Sequence, residues 1–150
     1  MVHIGILIVS VIAASVLMGA GVYEQVVLDP AWPARPPIVR PAEGGVNRKR
    51  FWVPGNLVVI VAFLAGVWAA WLAAQARFAG IAALVLFFAI NAVTVAYFAP
   101  AVLRVERVGA KPDDPTSQRW VALSRLRMPL ALAVVVCQAA AVLLTIRAEN

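Results

Sequence analysis

The sequence predicts an all-α fold: an integral membrane four-helix bundle, both termini outside, with the third and fourth helices extending into the cytoplasm. Three observations predict it. Of the 150 residues, 63% are hydrophobic and 13% charged, where a soluble domain has about 45–50% and about 25%. Four apolar runs are each long enough to cross a bilayer, which takes about 20 residues. The basic residues gather in two of the connections between those runs. The length suits one domain.

The first span covers about residues 4–22. Its beginning, Met-Val-His-Ile, lacks the positive n-region of a signal peptide, so a retained first helix is expected. The loop 25–51 follows, with Asp29-Pro30-Ala31-Trp32-Pro33, Arg35-Pro36-Pro37, Pro41 and Gly44-Gly45. So much proline opposes helix and central strand while restricting the chain. A disordered linker rarely contains Trp32, Ile38 and Val39. Two readings stand: an ordered lid over the inner mouth of the bundle, or an anchor loop at headgroup level.

The second and third spans cover about 54–74 and 78–99. Only Gln75-Ala76-Arg77 separates them, which predicts a tight antiparallel hairpin. The third helix continues past Pro100 through Leu103, Glu106 and Arg107 and stops around Gly109. Lys111-Pro112-Asp113-Asp114-Pro115 then makes a turn. Asp114 is an N-cap with Pro115 at the first helical position, and Pro129 is expected to kink the last helix, whose span covers about 128–146. Residues of about 100–127 thus read as a helical stalk.

Orientation follows from the cations. Arg35, Arg40, Arg48, Lys49 and Arg50 lie in the first connection; Arg104, Arg107, Lys111, Arg119, Arg125 and Arg127 lie in the last. Only Arg77 and Arg147 fall opposite. The positive-inside rule places both large loops in the cytoplasm of an inner (plasma) membrane protein. Trp52 and Trp120 mark the inner interface, Trp68 and Trp71 the outer one. The net charge of +6 is therefore a topology signal, with membrane lipid as the partner and not nucleic acid.

Several chemistries lack their residues. One cysteine, Cys137, and one histidine, His3, exclude within one chain an intramolecular disulfide and bis-histidine haem, zinc and iron–sulfur sites. No phosphate-binding glycine loop, dinucleotide fingerprint, nucleophile elbow or zinc helix is present. No cofactor and no metal is expected; Glu24 and Glu106 make only a weak hard-cation pair. His3 falls on the outer side, away from any inner site.

Small residues recur at four-residue spacing, Ala62-Gly66-Ala70-Ala74 in the second span and Ser15-Gly19 in the first. They read as packing ridges or as the interface of a homo-oligomer. Asn91 and Gln138, midway along the third and fourth spans, are expected to meet as an interhelical amide pair or to touch a ligand.

The polar residues that a spanning helix least tolerates collect at the inner ends. Tyr23 and Glu24 end the first helix, and Asn-Arg-Lys-Arg-Phe-Trp (47–52) and Asn56 open the second. Tyr97 closes the third, while Trp120, Ser124 and Arg127 share one face of the fourth. Together they suggest a vestibule. Glu24, Tyr23 and Arg127 are candidate catalytic residues. Arg50, Trp52, Asn56, Asn91, Tyr97, Trp120 and Ser124 are candidate substrate-binding residues. Arg50 or Arg127 is the expected partner of Glu24.

Gly21-Val22-Tyr23-Glu24, Asp29-Pro30-Ala31-Trp32-Pro33 and the run 44–54 resemble small bacterial four-helix integral membrane proteins of unknown function. Tyr97-Phe98-Ala99-Pro100 and the run 119–127 are similar to the wider anthrone-oxygenase-like family. That group often carries asparagine where Ser124 stands here. The resemblance implies four spans, a site at one membrane face, and oxygen-dependent oxidation of a hydrophobic substrate without metal or flavin. In that reading Glu24 or Tyr23 is the base, with Arg50, Arg127 and Asn56 holding the oxyanion. The competing expectation is a non-enzymatic accessory or scaffold subunit. Transport is disfavoured because the intramembrane groups are uncharged.

Overall fold

The structure, a computed structural model, describes residues 2–108 and 114–149, without the side chains of Glu106 and Val108. The expected turn at Lys111-Pro112-Asp113 and the Glu106 carboxylate lie outside the described residues. Every long element is helical: α1 (Val2–Tyr23), α2 (Arg48–Leu72), α3 (Arg77–Val93), α4 (Ala99–Val108), α5 (Pro115–Ser124) and α6 (Arg127–Glu149). Four rods result, each long and apolar enough to cross a membrane: Val2–Leu28, Arg48–Leu72, Ala74–Val105 and Pro115–Glu149. This all-α arrangement is consistent with a multi-pass membrane bundle.

Local chemistry explains where the rods start and bend. The Asn47 side chain caps α2 by accepting the Arg50 amide at 3.3 Å, so the helix begins six residues ahead of Pro54. Asp114 accepts the amides of Thr116 and Ser117 at 3.0 and 3.2 Å and starts α5. The break in the fourth rod falls at Arg125-Leu126. Pro129 lacks the N–H that would bond the Arg125 carbonyl and its ring crowds that oxygen; Met128 donates to it instead, at 3.2 Å. The third rod does not break at Pro100. A wide π turn, Thr94–Phe98, joins α3 to α4, and a second, Glu24–Leu28, ends the first rod.

Around the bundle the first rod packs on the second and fourth, and the third packs on the fourth and second. Three apolar layers fill it. At the end bearing the termini, Leu7, Ala69, Ala70, Ala76 and Ala141 meet. Midway, Phe63 and Phe87 stack with centroids 4.3 Å apart over Val59, Ala83 and Val134. At the loop end, Trp32, Val39, Phe98, Trp120 and Val121 close the structure. The Asn91–Gln138 pair does not form. Gln138 donates to Ser10 at 2.9 Å across the α1–α6 contact, and Asn91 donates to its own helix at Phe87 O, 2.8 Å.

The connection from Asp29 to Asn47 is built of short turns tied to one another. Pro36–Val39 and Pro41–Glu43 each form one 3₁₀ turn. Gly44 takes φ of 83°, a left-handed conformation that suits glycine. Gly45 then approaches the backbone of Pro37 so closely that a Cβ would collide with its carbonyl. Val46 donates to Ile38 O at 2.8 Å, and Arg40 pairs with Glu43. Trp32 and Val39, both 1% exposed, pin this segment to the bundle.

Candidate functional site

The polar groups of the loop end are built from three rods and the connection. Arg48, at the first position of α2 and 7% exposed, lies between two carboxylates. Its Nη2 donates to Asp29 Oδ1 at 3.2 Å, and its Nε is 3.5 Å from Glu24 Oε1. Glu24 Oε1 also accepts the Trp52 indole N–H at 2.7 Å. Asp29, 1% exposed, takes a second hydrogen bond on Oδ2 from the Ser124 hydroxyl at 3.0 Å. Gln25 donates to Ser124 O at 2.7 Å, so the first rod, the connection and α5 are sewn together. Burial pushes the Asp29 carboxyl above its ordinary value of 3.8, against the lowering pull of Arg48 and the Ser124 hydrogen bond.

Beside this network lies a cleft of about 660 Å³. That is the size range of small-molecule pockets, about 300–1,000 Å³. Its polar end holds Glu24, Arg48, Trp52, Asn56 and Arg127; its deep end is Leu17, Val59, Phe87, Ile90 and Val134. Two of its lining residues on the facing rods are strongly exposed: Val53 at 67% and Val95 at 70%. They are the lips, and the cleft therefore opens sideways between α2 and the third rod. Both π turns border it, through Glu24 and Gln25 on one and Thr94, Val95 and Phe98 on the other. Such turns recur at functional sites because they re-aim side chains and carbonyls.

Arg127 is held differently from Arg48. Its guanidinium carbon stands 4.3 Å over the Phe98 ring and 5.7 Å from the Trp120 centroid. Trp120 is fixed by its indole N–H to Phe98 O at 3.1 Å and by edge contact with Trp32. Asn56, Asn91 and Thr94 each donate to the carbonyl four residues back on their own helix, at 2.7 to 2.8 Å.

The structure thus brings Glu24, Trp52, Asn56, Asn91, Trp120 and Arg127 to one cleft. Ser124 stands behind its wall, fully buried on Asp29. Tyr23 points outward at 58% exposure, Arg50 is exposed on the far side of α2, and Tyr97 is exposed with its ring against Phe98. The cation in ion-pair contact with Glu24 is Arg48, not Arg50; Arg127 acts on Glu24 at longer range.

Asp29 and Arg48 are the residues that sequence reasoning passed over. A signal for Arg48 existed. It precedes Trp52 by four and Asn56 by eight, so the three share a helical face; Arg50 is turned well away. For Asp29 the signal was weaker: one carboxylate inside Val-Val-Leu-Asp-Pro-Ala-Trp, in a chain with only seven acidic residues.

No family model, curated protein or solved structure matches this chain. Nothing in those comparisons ties it to the anthrone-oxygenase-like family, and the geometry alone carries the functional reading.

Proposed function

We propose that this is an integral membrane protein that admits a hydrophobic small molecule sideways from the lipid and holds it in the cleft. Its polar end would rest against Glu24, Trp52, Asn56 and Arg127. The observation that carries the reading is the cleft's construction: apolar depth, a polar end, and exposed lips on two membrane-length helices. The positive-inside rule puts this polar end at the cytoplasmic face of an inner membrane.

The oxidation implied by the resemblance is the chemical extension of the same site. A methylene would become a carbonyl, with dioxygen supplying the carbonyl oxygen and accepting both hydrogens as water. Glu24 is the carboxylate on the cleft wall; the Trp52 indole donates to its Oε1, and Arg48 Nε lies 3.5 Å from the same atom. Glu24 Oε2 is the atom to accept the proton.

Mass spectrometry of small molecules released from detergent-purified protein tests the reading. A stoichiometric hydrophobic compound, lost when Ala131→Trp fills the cleft, supports it. Bulk phospholipid alone, with a protein partner that stays bound in gentle detergent, moves the assignment to an accessory or scaffold subunit.

A further inference from the structure

Taking the cleft as a ligand site, we infer that its occupant is a lipophilic oxyanion, a carboxylate- or phosphate-headed amphiphile whose head is received by Arg127. The inference rests on which cation is left over. Arg48 is spent on both carboxylates, Asp29 and Glu24. Arg127 makes no hydrogen bond or ion pair among the described residues; its contacts are the Phe98 and Trp120 rings, and its Nε is buried without a partner. A guanidinium stays charged throughout the physiological range and offers five donors in a planar fork. Held over aromatic rings at the wall of an apolar cleft, it feels the Asp29 and Glu24 carboxylates only through space, and its buried Nε makes no hydrogen bond to either, so its donors are left for an anion. A carboxylate or phosphate matches that fork with two parallel hydrogen bonds.

The uncharged groups of the cleft hold an anion less strongly than a guanidinium does. Asn56, Asn91 and Thr94 are uncharged, and each spends one donor on its own helix. Glu24 would repel an anion, but Arg48 and the Trp52 N–H already occupy its Oε1. The direction of the guest is also set. Below Arg127, Ala131 and Val134 follow on one face of α6, and below Trp52 and Asn56 comes Val59 on α2. A head on Arg127 therefore sends its tail toward Phe87 and Val134, along the helices.

Radiolabelled oleate and oleyl alcohol, binding to the full chain in phosphatidylcholine nanodiscs, test this. Oleate should bind saturably and about tenfold or more tighter than the alcohol, and Arg127→Gln should remove that preference by weakening oleate binding toward the level of the alcohol. Arg127→Lys, which keeps the charge without the fork, should retain part of it, so the test survives if the glutamine variant does not fold. Arg104→Gln, on an exposed residue outside the cleft, should change nothing. Displacement of oleate by dioleoyl phosphatidic acid would assign the anion to a lipid headgroup; oleate retained against it would assign a free acid, and both agree with the inference. Equal binding of oleate and alcohol, each abolished by Ala131→Trp, would overturn the oxyanion class while leaving the cleft as a ligand site. Saturable binding of neither overturns both.

Discussion

Ser124 donates a 3.0 Å hydrogen bond to Asp29 across 95 positions of sequence. That bond joins the last rod to the connection between the first two, and Arg48 completes the joint from α2 at 3.2 Å. The polar end of the cleft is therefore a consequence of tertiary closure. The connection holds Arg48, one of the residues at that end, through Asp29.

Removing Arg48 should unseat it. Arg48→Gln leaves Asp29 buried without its cation, and breaking a buried pair this way costs about 3–5 kcal/mol. Unfolding by titration with sodium dodecyl sulfate should show a loss of that order. Arg48→Gln combined with Asp29→Asn should recover part of it, because the orphaned charge is gone. A double variant no more stable than Arg48→Gln would mean that the pair does not hold the connection.

Asp29 also sets a pH dependence. Its carboxyl is raised above 3.8 in the folded chain because burial outweighs the pull of Arg48 and Ser124. Between that ordinary value and the higher folded one, the folded protein keeps a proton that the unfolded chain releases. Stability therefore falls as pH rises through this window and is greatest below it. Melting temperatures in detergent over the acidic range should decline with pH for the native chain, and Asp29→Asn should flatten the slope. An unchanged slope in Asp29→Asn would assign the effect to another group.

Legibility in the sequence tracked the range of the interaction. Four apolar runs, the turn at Gln75-Ala76-Arg77 and the cap at Asp114 are local, and each is set by residues within a few positions of one another. Choosing between Arg48 and Arg50 needed the phase of α2. That phase depends on Asn47 as the cap, whereas Pro54 invites a later start. The Gln138 partner needed the knowledge that α6 lies against α1. Adjacency in sequence pointed to α3, which is also a neighbour of α6 but presents Asn91 to the cleft instead. Asp29 was hardest, since the Ser124 and Arg48 that neutralise its burial come from distant rods.

The two small-residue ridges should behave oppositely on substitution. A Cβ at Gly66 would stand 2.5 Å from Ser10, disturbing the hydroxyl that receives Gln138, while one at Gly19 would meet nothing within 4 Å. Gly66→Ala should destabilise the bundle by about 1–3 kcal/mol, the usual range for overpacking. Gly19→Ala should leave it unchanged or slightly firmer. Detergent melting of the two variants checks this. Equal tolerance at both would show that α1 and α2 can separate freely at Ser10.

Access to the cleft should depend on the gap between α2 and the third rod, because Val53 and Val95 are the exposed lips on its two sides. Cysteines at both positions, in a chain whose single native thiol is removed by Cys137→Ala, can be bridged with a flexible bismaleimide. Bridging bars passage without touching Arg127 or Glu24. Exchange of bound radiolabelled oleate should then slow about tenfold or more, an added barrier of at least about 1.4 kcal/mol. Each single cysteine labelled with a monofunctional maleimide separates bridging from mere bulk, and both should exchange at close to the native rate. Unchanged exchange after bridging would place the route elsewhere. The remaining way in is from the loop end, where Trp32 and the Asp29–Arg48 joint would have to open first. In that case Arg48→Gln, not the bridge, would change the exchange rate. The two variants therefore distinguish a sideways route through lipid from one that requires the connection to lift.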